Sequence, residues 1–222
     1  DRVFVTGNMK FDSTAAHMEA PERALWREEL GLPDGAPVLV AGSTLLEDEG
    51  PVLDTVARLR ADGLDLHLVI APRRQERVAE VVKGCESRSL PFARRSEGGS
   101  APVLILDTMG ELARTYNLAD VAYVGGGLTP DVGLHNILEP AVCGVPVVFG
   151  PHHGKAARVA SEFLERKAGV QIADGEALLG AVSSILTDAE ARGRLKEAGR
   201  ALFADHQGAA RRQADRIREL VA

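Results

Sequence analysis

Aromatic residues are scarce in this 222-residue chain, at 4 %. A core of the size its 45 % hydrophobic content allows must therefore be built from Val, Leu, Ile and Ala, the usual filling of a parallel sheet buried on both faces. Cysteine is scarcer still. Cys85 and Cys143 sit in or beside apolar stretches with no CxxC and no Cys/His cluster, which excludes a disulfide framework and points to a reducing compartment. No run approaches 18 apolar residues, so neither a transmembrane helix nor a signal peptide is expected. Positive charge is in deficit: the formal net charge of −6 argues against a nucleic-acid partner. A small anionic ligand stays open, because backbone N–H groups and one arginine suffice to hold a phosphate. At 26 % charged residues the chain is neither disordered nor membrane-like.

Short apolar runs alternate with amphipathic stretches. The runs are Val3–Thr6, Val38–Ala41, Leu66–Ile70, Val103–Leu106, Val121–Val124, Pro146–Phe149 and Val170–Ile172. Helical patterns lie between them at about 21–30, 49–62, 75–84, 110–116, 136–143 and 156–167. This alternation predicts an α/β fold, a doubly wound parallel sheet with right-handed crossovers. From about 174 the pattern is helical to the end, with the basic cluster Arg211, Arg212, Arg216 and Arg218 read as a solvated face. The glycine-rich stretch from Arg94 to Ser100 reads as a flexible connection. No repeat and no internal boundary interrupts the chain, so 1–222 is expected to be one domain. Its abrupt start at Asp1, without methionine, suggests a piece of a longer protein.

In an open α/β sheet, ligands bind beyond the C-terminal ends of the strands, so the residues following each apolar run carry most information. Ser43 and Thr44 follow the Val38–Ala41 run after Gly42; they either approach a phosphate or start a helix, with Thr44 and Glu47 as a capping box. Pro72 and Arg73 follow the next run, Pro72 stiffening the exit. Arg73 either forks onto a phosphate or pairs with Glu76 or Glu80. Met109, Gly110 and Glu111 follow Val103–Leu106; they either offer backbone groups at a helix start or complete a second capping box from Thr108 to Glu111. Gly125, Gly126 and Gly127 follow Val121–Val124 and leave room for a ligand against the backbone. Behind them His135, Asn136, Ile137, Leu138 and Glu139 combine an N-cap with a carboxylate able to take both ribose hydroxyls, and this convergence favours a ligand site. His152 and His153 have no third ligand at metal spacing, so a pocket-lining loop is the better reading and no metal is expected. No nucleophile elbow, Walker loop or convincing general base is present; these residues suit holding a nucleotide more than breaking a bond.

Taken in order, these stretches resemble the C-terminal domain of the bacterial 3-deoxy-D-manno-octulosonic acid (Kdo) transferases of lipopolysaccharide synthesis. The matching segments are Thr6-Gly7-Asn8-Met9-Lys10-Phe11-Asp12, Ala41-Gly42-Ser43-Thr44, Ala71-Pro72-Arg73 with Glu76-Arg77, Asp107-Thr108-Met109-Gly110-Glu111, and Gly125-Gly126 through His135-Asn136-Ile137-Leu138-Glu139-Pro140 to Phe149-Gly150-Pro151-His152. The resemblance implies the Rossmann-like C-terminal half of a GT-B glycosyltransferase. It implies a donor, CMP-Kdo, that is a substrate rather than a cofactor, and a metal-free reaction. Contacts to CMP are implied from Pro72 and Arg73, from Met109, Gly110 and Glu111, and from Asn136, Ile137, Leu138 and Glu139. Ser43, Thr44, Gly126 and His135 are expected to add to the pocket. An N-terminal domain outside this chain would bind the lipid A precursor, supply the catalytic carboxylate and associate with the cytoplasmic face of the inner membrane. Three positions depart from the family pattern: Leu45 and Arg74 stand where it has histidine, and Lys155 where it has asparagine. Two other readings are carried alongside: a GT-B transferase or sugar epimerase using a different nucleotide sugar, and a noncatalytic α/β binding module.

Overall fold

Alternating side chains dictate the architecture seen in the computed structural model, which describes residues 3, 4, 6, 9, 12 and 17–221. Seven parallel strands form one sheet: β1 (Val38–Thr44), β2 (His67–Pro72), β3 (Phe92–Arg94), β4 (Val103–Ile105), β5 (Val121–Val124), β6 (Val147–Phe149) and β7 (Gly169–Gln171), in the order β3-β4-β2-β1-β5-β6-β7. Along β1, Leu39 and Ala41 point to one face and Val38 and Val40 to the other, as the period of two requires. Both faces are covered, so the strands read as unbroken apolar runs.

The helices between strands are α1 (Ala20–Glu29), α2 (Leu46–Ala61), α3 (Val78–Ser87), α4 (Leu112–Thr115), α5 (Leu138–Val142) and α6 (Ala157–Glu165), followed by α7 (Ala177–Thr187), α8 (Ala189–His206) and α9 (Ala209–Val221). Val52 and Val56 of α2, Val81 of α3 and Val182 of α7 pack on one face with Leu39, Leu68, Ile105 and Tyr123. Trp26 of α1 and Leu30 just after it cover the other face with Val40, Val69 and Leu104, and Ala141 of α5, Phe163 of α6 and Leu202 of α8 extend that side over Val147 and Phe149. The expected α/β class, doubly wound, is what forms.

Several details differ from expectation. The run at Val3–Thr6 falls partly outside the described residues, and Val3, Phe4 and Thr6 themselves are in no strand. Strand β3 had no signal in the sequence, since a three-residue edge strand ending in arginine offers no apolar run. The connection after it is pinned. Asp107 accepts from Arg94 Nε at 2.9 Å and from the Ser96 N–H at 2.9 Å, while Arg95 pairs with Glu111 at 3.1 Å and also with Glu29. Ser100 Oγ donates to the Gly31 carbonyl at 2.5 Å. A glycine-rich composition described the backbone but not the ion pairs that hold it.

Beyond 174 the described chain is helical, and the four arginines of α9 are exposed as read. Cys85 and Cys143 are buried and unpaired; burial pushes their thiols up to about 11 and about 12, which makes both poor nucleophiles. No described helix is long and apolar enough to cross a membrane.

Candidate functional site

Strand β1 pairs with β2 on one side and β5 on the other, and the chain reverses its direction of travel across the sheet there. That is the topological switch point at which open α/β sheets hold ligands. A cavity of about 400 Å³ opens over it. Pro72, Arg73, Met109, Gly110, Asn136 and Glu139 line it, and so do Ser43 and His135. Residues separated by more than sixty positions in sequence thus share one wall-and-floor arrangement because parallel strands deliver all their C-terminal ends to the same edge.

Each is positioned by its element. Pro72 ends β2, and the Arg73 N–H donates to the Thr44 carbonyl at 2.9 Å, tying that exit to the end of β1. The Arg73 side chain is exposed and enters no ion pair with another described residue. Gly110 turns the chain at φ +85, and Met109 beside it is 83 % exposed at the rim. Asn136 is not the N-cap expected of it, since Ile137 occupies the cap of α5; from one residue earlier its Oδ1 accepts from the Leu138 N–H at 3.2 Å, and its Nδ2 donates to Glu139 Oε1 at 3.0 Å. Burial raises the Glu139 carboxyl above its ordinary value, opposed by the Asn136 hydrogen bond and by the charge of Arg73. His135 is half-buried with Nε2 unpartnered, and burial, then the Arg73 charge, lowers its pKa, so the imidazole is neutral at pH 7. The cavity therefore presents an unpaired guanidinium, a carboxylate and a neutral ring around a glycine turn.

The remaining expected residues lie elsewhere. Glu111 faces away, bound by Arg95 and Thr108, which holds its carboxyl low despite burial. Thr108 donates to that carboxylate; it does not cap the helix N–H groups, and Glu111 itself occupies the cap of α4. Ile137 and Leu138 are core residues that border a second cavity of about 410 Å³, along with Leu134, Lys155 and Arg158. Thr44 is wholly buried at the end of β1, so it neither reaches the cavity nor forms the expected box with Glu47, whose carboxylate takes the Thr129 hydroxyl at 2.8 Å.

The box forms one residue later, and Asp48 is the residue that sequence reasoning missed. Its Oδ2 accepts from the N–H groups of Leu45 and Gly126, each at 2.8 Å, and its Oδ1 from the Tyr123 hydroxyl at 2.5 Å. Burial raises its pKa while these three bonds lower it. One carboxylate thus joins the start of α2 to the loop after β5. The clue was present as Leu45-x-x-Asp48, but the leucine hid it: the backbone N–H of the cap, not its side chain, is the group served.

The glycines after β5 also serve packing rather than ligand approach. A Cβ on Gly126, at φ +87, would lie 2.3 Å from the Gly133 carbonyl oxygen, and one on Gly127 would lie 2.7 Å from the Gly150 nitrogen. Backbone bonds join the same loops, from the Leu134 N–H to His152 O and from the His152 N–H to Gly127 O, both at 2.9 Å. Gly126 therefore stands behind the cavity, not in it. His153 bonds Gln171 at 2.9 Å and meets Phe149 edge-on, and no group of metal-ligating side chains gathers among the described residues.

No family model matches the chain. It is 34 % identical over 194 residues to the 3-deoxy-D-manno-octulosonic acid transferase of Chlamydia pneumoniae, covering 85 % of this chain and 43 % of that one. It is 30 % identical over 185 residues to the enzyme of the same name from Rickettsia felis, covering 82 % and 39 %. The chain thus spans less than half the length of these curated relatives. Among solved structures, the C-terminal CMP-Kdo binding domain of WaaA from Acinetobacter baumannii superposes with a TM-score of 0.77 at 29 % identity, covering 88 % of this chain and 99 % of that one. A glycosyltransferase from Rickettsia africae, at 12 % identity and a TM-score of 0.68, shares the fold. By sequence and by fold together, the chain is homologous over most of its length to the 3-deoxy-D-manno-octulosonic acid transferases and to a solved C-terminal domain of one of them, and it has the Rossmann-like fold of a GT-B glycosyltransferase C-terminal domain.

Proposed function

We propose that this chain binds CMP-Kdo and is the donor half of an enzyme that moves Kdo to a lipid A precursor. The observation that carries the reading is the pairing of Arg73 and Glu139 across one cavity at the switch point, with the Met109–Gly110 turn between. Arg73 meets the phosphate of CMP, where a guanidinium in no ion pair with another described residue is suited to an anion. Glu139 accepts the two ribose hydroxyls. The turn at Met109 and Gly110 offers backbone groups to the base edge. None of these roles needs a metal or cofactor.

The reaction is displacement of CMP by an acceptor hydroxyl. The two basic groups that line the cavity are committed otherwise in this reading: Glu139 holds the ribose, and the unpartnered Nε2 of His135 is buried away from solvent. A second domain, on the N-terminal side, supplies the acceptor site and the catalytic carboxylate, and holds the enzyme at the cytoplasmic face of the inner membrane. This chain alone therefore holds the donor without turning it over.

Calorimetric titration with CMP, and with UMP alongside, tests this. Binding of CMP at millimolar Kd or tighter, about −4 kcal/mol or better, is expected, with at least a tenfold loss in Arg73→Ala and in Glu139→Ala. Tighter binding of UMP points instead to a transferase or epimerase with a different nucleotide sugar. Binding of neither nucleotide by the folded chain points to a noncatalytic module.

A further inference from the structure

The second cavity has the same size as the first and shares His135 and Asn136 with it, so one ligand can occupy both. Its walls divide by chemistry. Leu134, Ile137 and Val159 supply apolar surface, and Lys155 and Arg158 supply two positive charges. Lys155 lies in the 3-10 turn Gly154–Ala156, and Arg158 in the first turn of α6, which follows it directly. Both side chains are exposed, and neither forms an ion pair with another described residue.

The fold gains nothing from cations in that place. The start of a helix carries the positive end of its dipole, so a basic residue there is disfavoured, and two compound the cost by mutual repulsion. The first turn of α6 has no acidic residue to offset them. Elsewhere the described arginines are mostly matched: Arg88 with Asp54, Arg94 with Asp107, Arg95 with Glu111. Two unmatched cations on a helix start, facing a concave surface that is apolar apart from His135 and Asn136 at the edge shared with the first cavity, describe a place for an anion attached to a carbon skeleton.

Resting on the reading of the first cavity as the cytidine site, we infer that the second cavity holds the sugar of the donor and that Lys155 and Arg158 take its carboxylate. The shared edge at His135 and Asn136 then lies at the junction of nucleotide and sugar. An octulosonic acid offers what the lining asks for, a carbon chain for Leu134, Ile137 and Val159 and one fixed negative charge for the two cations. A phosphate on an acceptor has the same charge chemistry but no reason to lie in continuity with the nucleotide, and it is set against the sugar acid in the test.

Freshly prepared CMP-Kdo, CMP and glucosamine 1-phosphate are titrated in parallel into the whole chain and into Lys155→Gln/Arg158→Gln. Both positions are exposed, and thermal melting verifies that the variant is folded. The wild type is expected to prefer CMP-Kdo over CMP by tenfold or more, and the variant to lose that preference while its CMP affinity changes less than twofold. A preference that survives in the variant overturns the inference, as does a variant that loses CMP equally. Glucosamine 1-phosphate binding that depends on the two cations, with no preference for CMP-Kdo, overturns it in favour of an acceptor phosphate. Absence of CMP binding to the wild type overturns the cytidine reading itself, which separates that failure from the others.

Discussion

The two banks of the crevice are built on opposite plans. On the β2–β4 bank, the functional side chains are exposed and the backbone has room: nothing lies within 4 Å of a Cβ placed on Gly110. On the β5–β6 bank, backbone packs on backbone, and Gly126, Gly127, Gly133 and Gly150 are there because another main chain occupies the space a side chain would need. The same residue type has two meanings, a turn on one bank and a close contact on the other. The difference teaches that the open bank offers its ligand groups directly at the strand exits, while the opposite bank first packs backbone on backbone and offers Asn136 and Glu139 only at the start of α5.

Substitution of glycine breaks the comparison most sharply. Gly126→Ala, which combines positive φ with a clash on a carbonyl oxygen, is expected to cost roughly 3–4 kcal/mol and to lower the melting temperature by about ten degrees. An unchanged melting temperature would show that the two loops are not packed as described. Next comes Asp48→Ala. It leaves the N–H groups of Leu45 and Gly126 and the Tyr123 hydroxyl without their acceptor, which is expected to cost about 3 kcal/mol in urea unfolding. Because this change releases the loop behind the cavity and not its lining, CMP affinity should fall far less than in Arg73→Ala.

Asp107 tests the other bank. Burial opposes its ionisation, but Ser96 and Arg94 outweigh burial and hold the carboxyl below its ordinary value of 3.8. A depressed folded pKa means that this carboxylate stabilises the protein above the unfolded value and ceases to do so as pH falls through the folded one. Asp107→Asn is expected to cost about 1–2 kcal/mol at pH 7 and less near pH 3, the loss shrinking further as pH falls through the folded value. Equal losses at both pH values, measured by urea midpoints, would assign the stabilisation to shape and not charge. The smallest effect is expected for Gly110→Ala, about 1 kcal/mol of backbone strain with no clash; a loss as large as that of Gly126→Ala would erase the distinction between the banks.

Much of this was legible in sequence, for identifiable reasons. Strands β1, β2, β4, β5 and β6 were visible because burial on both faces makes each a continuous apolar run, and the half-buried edge strand β7 was visible through the short run Val170–Ile172. Strand β3 was invisible because Phe92-Ala93-Arg94 lies at an edge and needs only one pairing. The start of α2 was misplaced because β1 runs on past its apolar residues to Thr44, shifting the cap to Leu45. Gly125-Gly126-Gly127 announced a close approach but not what approaches. Pro72 and Arg73 could be singled out because they stand at a buried strand's exit, and Asn136 and Glu139 because a polar helix start follows the glycine-rich exit of another.

The sequence by itself determined the α/β class, the strand-end positions of the polar motifs, and the absence of charge or cysteine chemistry that would point elsewhere. Periodicity and composition are local properties, and those conclusions need nothing more. Only the tertiary structure decided that Asp48 is the tie between β1 and the loop after β5, that Glu111 turns to Arg95, and that Lys155 and Arg158 face a second cavity beside the first. Each of those depends on which strand ends become neighbours, and neighbour order in a sheet is set by crossover packing between segments far apart in the chain.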